Sequence, residues 1–335
     1  MGAYRLLLAL LVALSHMGVK FWGVNLGVVA VISFFIISGF VMTSLIERHY
    51  RSLDKVGLFY LDRLLRLYPQ FIVYFVMSCL VIYFMLPGTP QAATLTAKNI
   101  LTSLPILPLG FYMYGITLPQ ILPPAWSLGL EMCFYLLIPF LLIYKVRGGF
   151  FLASLLVFSV AFIGKIDNDI YGYRLLPGVL FIFLCGSYLY QAKTKELFIV
   201  ATTTLVAALL FLAIMSGAIT RLILNAEVTL GIAVGIPAVY LLSKLKYHPI
   251  DEFFGNISYG VFLNHFVVMY ALRHFWPVEY SVPIICAVLV LSFLLSGVTY
   301  YCVEKPALKL RHTLRARSNA RPQAMEPVAP GLSKA

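Results

Sequence analysis

Apolar residues run through this chain in long blocks, and polar residues gather between the blocks rather than within them. Ten apolar segments can be drawn, at about 6–24, 26–45, 67–86, 126–144, 148–164, 176–192, 197–215, 226–243, 256–276 and 282–303. Helical runs of roughly 17–25 apolar residues match the hydrocarbon thickness of a bilayer. The pattern predicts an all-α polytopic membrane protein with about ten transmembrane helices. The stretch 87–125 breaks it. Pro87, Pro90, Pro105, Pro108, Pro119, Pro123 and Pro124 interrupt any span there, so it reads as a loop that re-enters or lies on the interface. No internal repeat stands out, which argues mildly against inverted-repeat transporters.

Composition agrees with the pattern. Of 335 residues, 61% are hydrophobic and 11% charged, against about 25% charged in a soluble domain. The net charge of +12 would suggest nucleic acid for a soluble chain, but its placement argues for topology instead. With the N-terminus in the cytoplasm, 19 of the 25 Lys and Arg residues fall on the inner side and six on the outer. That is the positive-inside asymmetry, and it puts both termini in the cytoplasm. Membrane lipids, not nucleic acid, are the expected contact of the basic residues. Trp22, Trp126 and Trp276 fall at outer helix ends, where an aromatic belt belongs. One integral domain is expected over 1–310, followed by a basic, disordered cytoplasmic tail at 311–335. Arg5, the apolar run and Ala13-Leu14-Ser15 have the outline of a cleaved leader, but the run continues past His16 and is read as the first span. The five cysteines are scattered and show neither metal spacing nor a disulfide framework.

Within this apolar frame a few polar residues stand out. Arg5 and His16 are eleven residues apart, so a helix carries them on one face to within about 20° and separates them by about 16 Å. Ionisable groups inside a membrane span are functional candidates, and a neutral imidazole suits a general base. Glu131, in Trp126-Ser127-Leu128-Gly129-Leu130-Glu131, lies about a turn and a half inside the fourth span, where it could orient or charge-stabilise an imidazolium or, nearer the outer face, hold an acceptor hydroxyl. Arg63 and Arg66 are spaced to grip one multivalent anion at the cytoplasmic mouth of the third span, although ordinary cytoplasmic anchoring explains them too. Ser38-Gly39 allows close approach of another backbone or a ligand. Ser258, Tyr259 and His265 enter the ninth span from inside, and Tyr173-Arg174 marks an outer boundary.

Taken together and in order, these stretches resemble the acyltransferase-3 family of integral membrane acyltransferases. The resemblance rests on Arg5 with His16, Phe34-Phe35, Ser38-Gly39-Phe40, and Arg63 and Arg66 with Pro69. It continues through Trp126-Ser127-Leu128 with Glu131 and Phe134-Tyr135, Tyr173-Arg174, Ile257-Ser258-Tyr259 with His265, and Glu304-Lys305-Pro306. It spans residues 5–306. The resemblance implies transfer of an acyl group, most often acetyl, from cytoplasmic acyl-CoA to a hydroxyl of a surface or lipid-linked polysaccharide. It implies His16 as the essential histidine, Arg5 as its companion, and Arg63 and Arg66 at the CoA phosphates. Glu131, Ser38, Trp126, Ser127, Tyr173, Arg174, Ser258, Tyr259 and His265 would line the catalytic pore. Acyl-CoA is then a co-substrate, with no permanently bound cofactor, and the location is a bacterial inner membrane. One departure is Ile32, where the family often has an acidic residue two before the Phe-Phe pair. With no hydrolase-like domain after the tenth span, the chain is expected among the stand-alone members. The rival reading from polytopic topology alone is a transporter or flippase for a glycolipid or small solute.

Overall fold

The computed structural model describes residues 1–246, 248–276 and 281–320. Each of the ten apolar segments falls on a helix. These are α1 (Gly2–His16), α2 (Leu26–His49), α3 (Val56–Met85), α4 (Trp126–Ile143) and α5 (Arg147–Phe162), then α6 (Leu176–Gln191), α7 (Thr194–Met215), α8 (Asn225–Ser243), α9 (Pro249–Phe275) and α10 (Val282–Thr299). An eleventh, α11 (Lys305–Ala320), follows a turn at Tyr300–Glu304. It carries the chain across the expected boundary at 310, and the rest of the expected tail, 321–335, lies outside the described residues. Among the described residues the only extended pairing is an isolated bridge between Phe21 and Val24.

Seven helices, α2, α3, α4, α6, α7, α8 and α10, are long and apolar enough to cross a membrane. α1 and α5 are apolar but have only 15 and 16 residues. α9 has 27 residues, and Asn256, Ser258, Asn264 and His265 lie within it. The first segment is corrected most: the helix does not run to 24 but stops at His16. Gly18 there takes φ +83°, a left-handed conformation that ends a helix.

α2 is the hub, packed against α1, α4, α6 and α8. It achieves this with small residues. A Cβ on Gly39 would collide with the Phe183 carbonyl of α6, and one on Gly186 with the Ile36 carbonyl of α2. Backbones this close are how apolar helices associate where no hydrophobic drive exists between them. Gly39→Ala is therefore expected to destabilise the bundle by about 1–3 kcal/mol through overpacking. Gly57→Ala, where a Cβ meets nothing within 4 Å, should be neutral or slightly stabilising. Thermal unfolding of the two detergent-purified variants would separate these outcomes.

α1 and α9 run parallel. Asp251, in the first turn of α9, accepts from the Gly2 and Ala3 amides at 2.8 Å each, so it caps the otherwise unsatisfied start of α1. Fourteen residues further along α9, His265 meets His16. α1 thus ends beside the middle of α9, not at its far end.

The stretch 87–125 forms two short helices, Pro90–Ala93 and Ala97–Ser103, and three 3-10 turns that pack back onto the bundle. Asn99 organises it. Its amide donates to the Thr94 and Leu118 carbonyls and its carbonyl accepts from Thr117 and the Leu118 amide. Gly110 and Gly129 meet backbone to backbone, which fixes the stretch to α4.

Candidate active site

Three ion pairs tie separate helical elements together at one end of the bundle. Arg147 reaches Glu196 at 3.1 Å, Arg66 pairs with Glu304, and Arg311 reaches Asp62 at 3.4 Å. A cavity of about 420 Å³ enters from this basic end. It is lined by Arg48 and His49 of α2, Arg63 and Arg66 of α3, and Leu308 and Arg311 of α11. Arg5, Ser38, Glu131, Tyr135, Ser258 and Tyr259 also line it, with Ser127, Phe34 and Phe262 on its wall.

The structure therefore brings eight of the thirteen sequence-predicted residues to one cavity: Arg5, Arg63, Arg66, Ser38, Ser127, Glu131, Ser258 and Tyr259. Their states differ. Arg63 pairs with Asp62, its own neighbour in sequence, and its Nε donates to that carboxylate at 3.0 Å. Arg66 also lies over the Tyr259 ring, 5.5 Å from its centroid. Both guanidiniums thus enter the cavity already neutralised on one side by a buried carboxylate, and neither is the open fork that the spacing suggested. Arg5 is different. It makes no ion pair within 4.0 Å among the described residues and faces Glu131 across the cavity. Glu131 is held by two hydroxyls, Ser38 at 2.5 Å and Tyr135 at 2.7 Å, both donating to Oε1. Position along the span made Glu131 an acceptor-side group, but its side chain shares the cavity of the arginine cluster.

The two histidines form a second unit. His16 Nδ1 and His265 Nε2 are 2.9 Å apart, with near-parallel rings 5.2 Å apart. His265 Nδ1 lies 3.2 Å from the Val261 carbonyl, which can only accept. That contact puts the proton on His265 Nδ1 and leaves its Nε2 as acceptor. His16 must then donate from Nδ1, and its own Nε2 carries a lone pair with no partner among the described residues. His265 is fully buried, whereas His16, at the end of a short helix, is exposed. Phe266 packs edge-on against His16, 4.9 Å between centroids. The link to the cavity is Phe262, one turn before His265 on α9, which lines the cavity and meets Phe34 at 5.8 Å.

A third unit holds the remaining three residues. Arg174 lies over the rings of Trp126 at 5.0 Å, Tyr173 at 5.3 Å and Tyr112 at 5.6 Å, and its Nε bonds Asp169 at 2.8 Å. Burial pushes the Tyr112 phenol above its ordinary value, with Arg174 pulling the other way. The unit has a complete structural account as a cation caged by aromatic faces. Trp22 is 96% exposed, as a belt residue should be, whereas Trp126 turns inward to this cage.

Tyr135 entered the resemblance without a role at the cavity, and Arg311 went unnoticed. Tyr135 stood one turn after Glu131, so helical spacing was signal enough. Arg311 sat at the start of the tail and carried no signal of its own.

A family model described as an acyltransferase domain matches residues 3–301. A protein of Aquifex aeolicus (strain VF5), described only as an uncharacterized protein, is 36% identical over 206 residues, covering 58% of this chain and 90% of that protein. No solved structure matches the chain.

Proposed function

The chain belongs to the acyltransferase-3 family, and from that premise we propose that this membrane acyltransferase moves an acyl group, acetyl by preference, from cytoplasmic acyl-CoA to a polysaccharide hydroxyl. The observation that carries the reading is the Nε2 lone pair of His16, held in its tautomer by His265 at 2.9 Å.

In this reading the basic end of the bundle is cytoplasmic, both termini are inside, and ten helices span the inner membrane of a bacterium. The phosphates of acyl-CoA cannot enter lipid, so they stay at the cavity mouth among Arg63, Arg66 and Arg311. The pantetheine arm extends inward past Arg5 and Glu131. Thioester and acceptor meet at His16, beyond the edge-on pair of Phe34 and Phe262. His16 Nε2 takes the proton of the acceptor hydroxyl, and the oxygen attacks the thioester carbonyl. The C–O bond forms, the C–S bond breaks, and the thiolate of CoA leaves and takes up that proton. In the covalent version Nε2 attacks the thioester carbonyl first and the C–S bond breaks with loss of the CoA thiolate; the hydroxyl oxygen then takes the acyl group as the C–N bond breaks, and its proton ends on that thiolate.

Two observations support the donor assignment. The cavity carries more guanidiniums than carboxylates, and Arg5 has no ion pair among the described residues, so an anion gains a charge-assisted contact on entering. Incubating membranes with labelled acetyl-CoA tests the function: label should appear in lipid-linked or surface glycan, and none should appear with a transporter. Replacing Arg63 and Arg66 together by Gln is expected to raise the KM for acyl-CoA by about 10–100-fold, the equivalent of one or two charge-assisted hydrogen bonds. The acceptor KM should not change, and an effect on it alone would contradict the docking role.

A further inference from the structure

A second cavity, of about 470 Å³, opens at the same basic end. Arg48 and His49 of α2 face the first cavity, whereas Ile46, Glu47 and the following Arg51 face the second. Its far wall is built from the ends of α4, α5, α6 and α7. Nothing in the acyl-transfer reading uses it.

The charges of this cavity are unevenly matched. Five cations line it, Arg51, Lys145, Arg147, Lys193 and Lys195, against the carboxylates of Glu47 and Glu196. Each carboxylate has an ion-pair partner, and Glu196 keeps one buried oxygen, Oε2, without a hydrogen bond among the described residues. Glu47 pairs with Arg51 at 3.3 Å and Glu196 with Arg147 at 3.1 Å. Arg147 is further fixed by Ser187 and Gln191 at 2.8 Å each and by the Tyr188 ring at 5.1 Å. Lys145, Lys193 and Lys195 are left with no ion pair among the described residues. Water and salt screen the mutual repulsion of these exposed lysines, and an anion that enters is attracted by all three.

The backbone adds to this. Lys145 takes φ +56°, a left-handed conformation that a glycine adopts without strain. α5 and α7 both begin at the cavity, and neither has a side-chain cap. Their first amide N–H groups, which have no partner within their own helices, supplement the lysines as anion donors. Ile46, Leu142, Ile143 and Ile199 form an apolar wall beside the charges.

We infer that this second cavity binds a phosphate-bearing anion, held by Lys145, Lys193 and Lys195 and seated against the starts of α5 and α7. The apolar wall suits a phospholipid headgroup whose chains lie along the bundle, and a soluble phosphate presents the same chemistry. The site is independent of the acyl-transfer reading.

The test uses the full chain in detergent, with Lys145→Gln, Lys193→Gln and Lys195→Gln combined. All three lysines are exposed, so the variant should unfold at the wild-type temperature. Native mass spectrometry counts bound phosphatidylglycerol against phosphatidylcholine, and titration calorimetry follows inorganic pyrophosphate. A lipid ligand predicts that the wild type prefers phosphatidylglycerol and that the variant loses at least about tenfold of that preference. A soluble ligand predicts no lipid preference and pyrophosphate binding that weakens by at least about tenfold in the variant. Either result supports the site and identifies its source. A wild type that binds neither probe, or a variant that matches it in both arms, overturns the inference.

Discussion

His16→Ala is expected to lower kcat by about 10²–10⁴, the usual contribution of a positioned general base, with membrane insertion and thermal stability unchanged. The structure explains both halves. His16 ends α1 and is exposed, so truncating it leaves no cavity in the core. His265→Gln should be milder, because a glutamine oxygen can still accept from His16 Nδ1 while the proton on His265 that fixes the tautomer is lost. A loss of about tenfold in kcat, with the acyl-CoA KM unchanged, is the outcome expected of a positioning residue. Full activity in His16→Ala would sink the assignment. Acid quenching with labelled acyl-CoA and no acceptor separates the two chemistries. Label on the wild-type protein, lost in His16→Ala, signifies an acyl-histidine, and unlabelled protein signifies the base.

The helices were legible because a bilayer imposes one long apolar period, and all ten apolar segments fall on helices. Their ends were less so. The apolar run past His16 includes Val19, Phe21 and Trp22, and only the left-handed turn at Gly18 shows where α1 stops. The Arg5–His16 stripe followed from helix arithmetic. The partner of His16 did not, since it lies 249 residues away and only parallel packing of α1 and α9 unites them. Glu131 shows the complementary limit. Its place along the span was readable, but the direction of its side chain depends on which neighbours α4 finds, and α2 supplied Ser38. Arg63 and Arg66 were read as open forks because their carboxylates are hard to recognise in sequence. Asp62 is adjacent and Glu304 is 238 residues distant.

Glu131→Gln is the more searching substitution in the cavity, because it separates charge from geometry. A glutamine carbonyl accepts from Ser38 and Tyr135 as the carboxylate does, so the local scaffold survives. What disappears is the negative charge opposite Arg5, a guanidinium without an ion pair among the described residues. If that field orients the incoming thioester arm, kcat/KM should fall about a hundredfold in Glu131→Gln, roughly 2.7 kcal/mol. Arg5→Gln should cost a similar amount, and the double variant little more than either alone. Such a coupling is the signature of two groups acting as a unit. Additive losses would mean that Arg5 and Glu131 serve separate steps. Unaltered activity in Glu131→Gln, with a loss only in Glu131→Ala, would reduce Glu131 to an acceptor that pins Ser38 and Tyr135. Because Tyr135 and Ser38 approach from α4 and α2, even that outcome would keep Glu131 as the bond between the two helices that shape the deep part of the cavity.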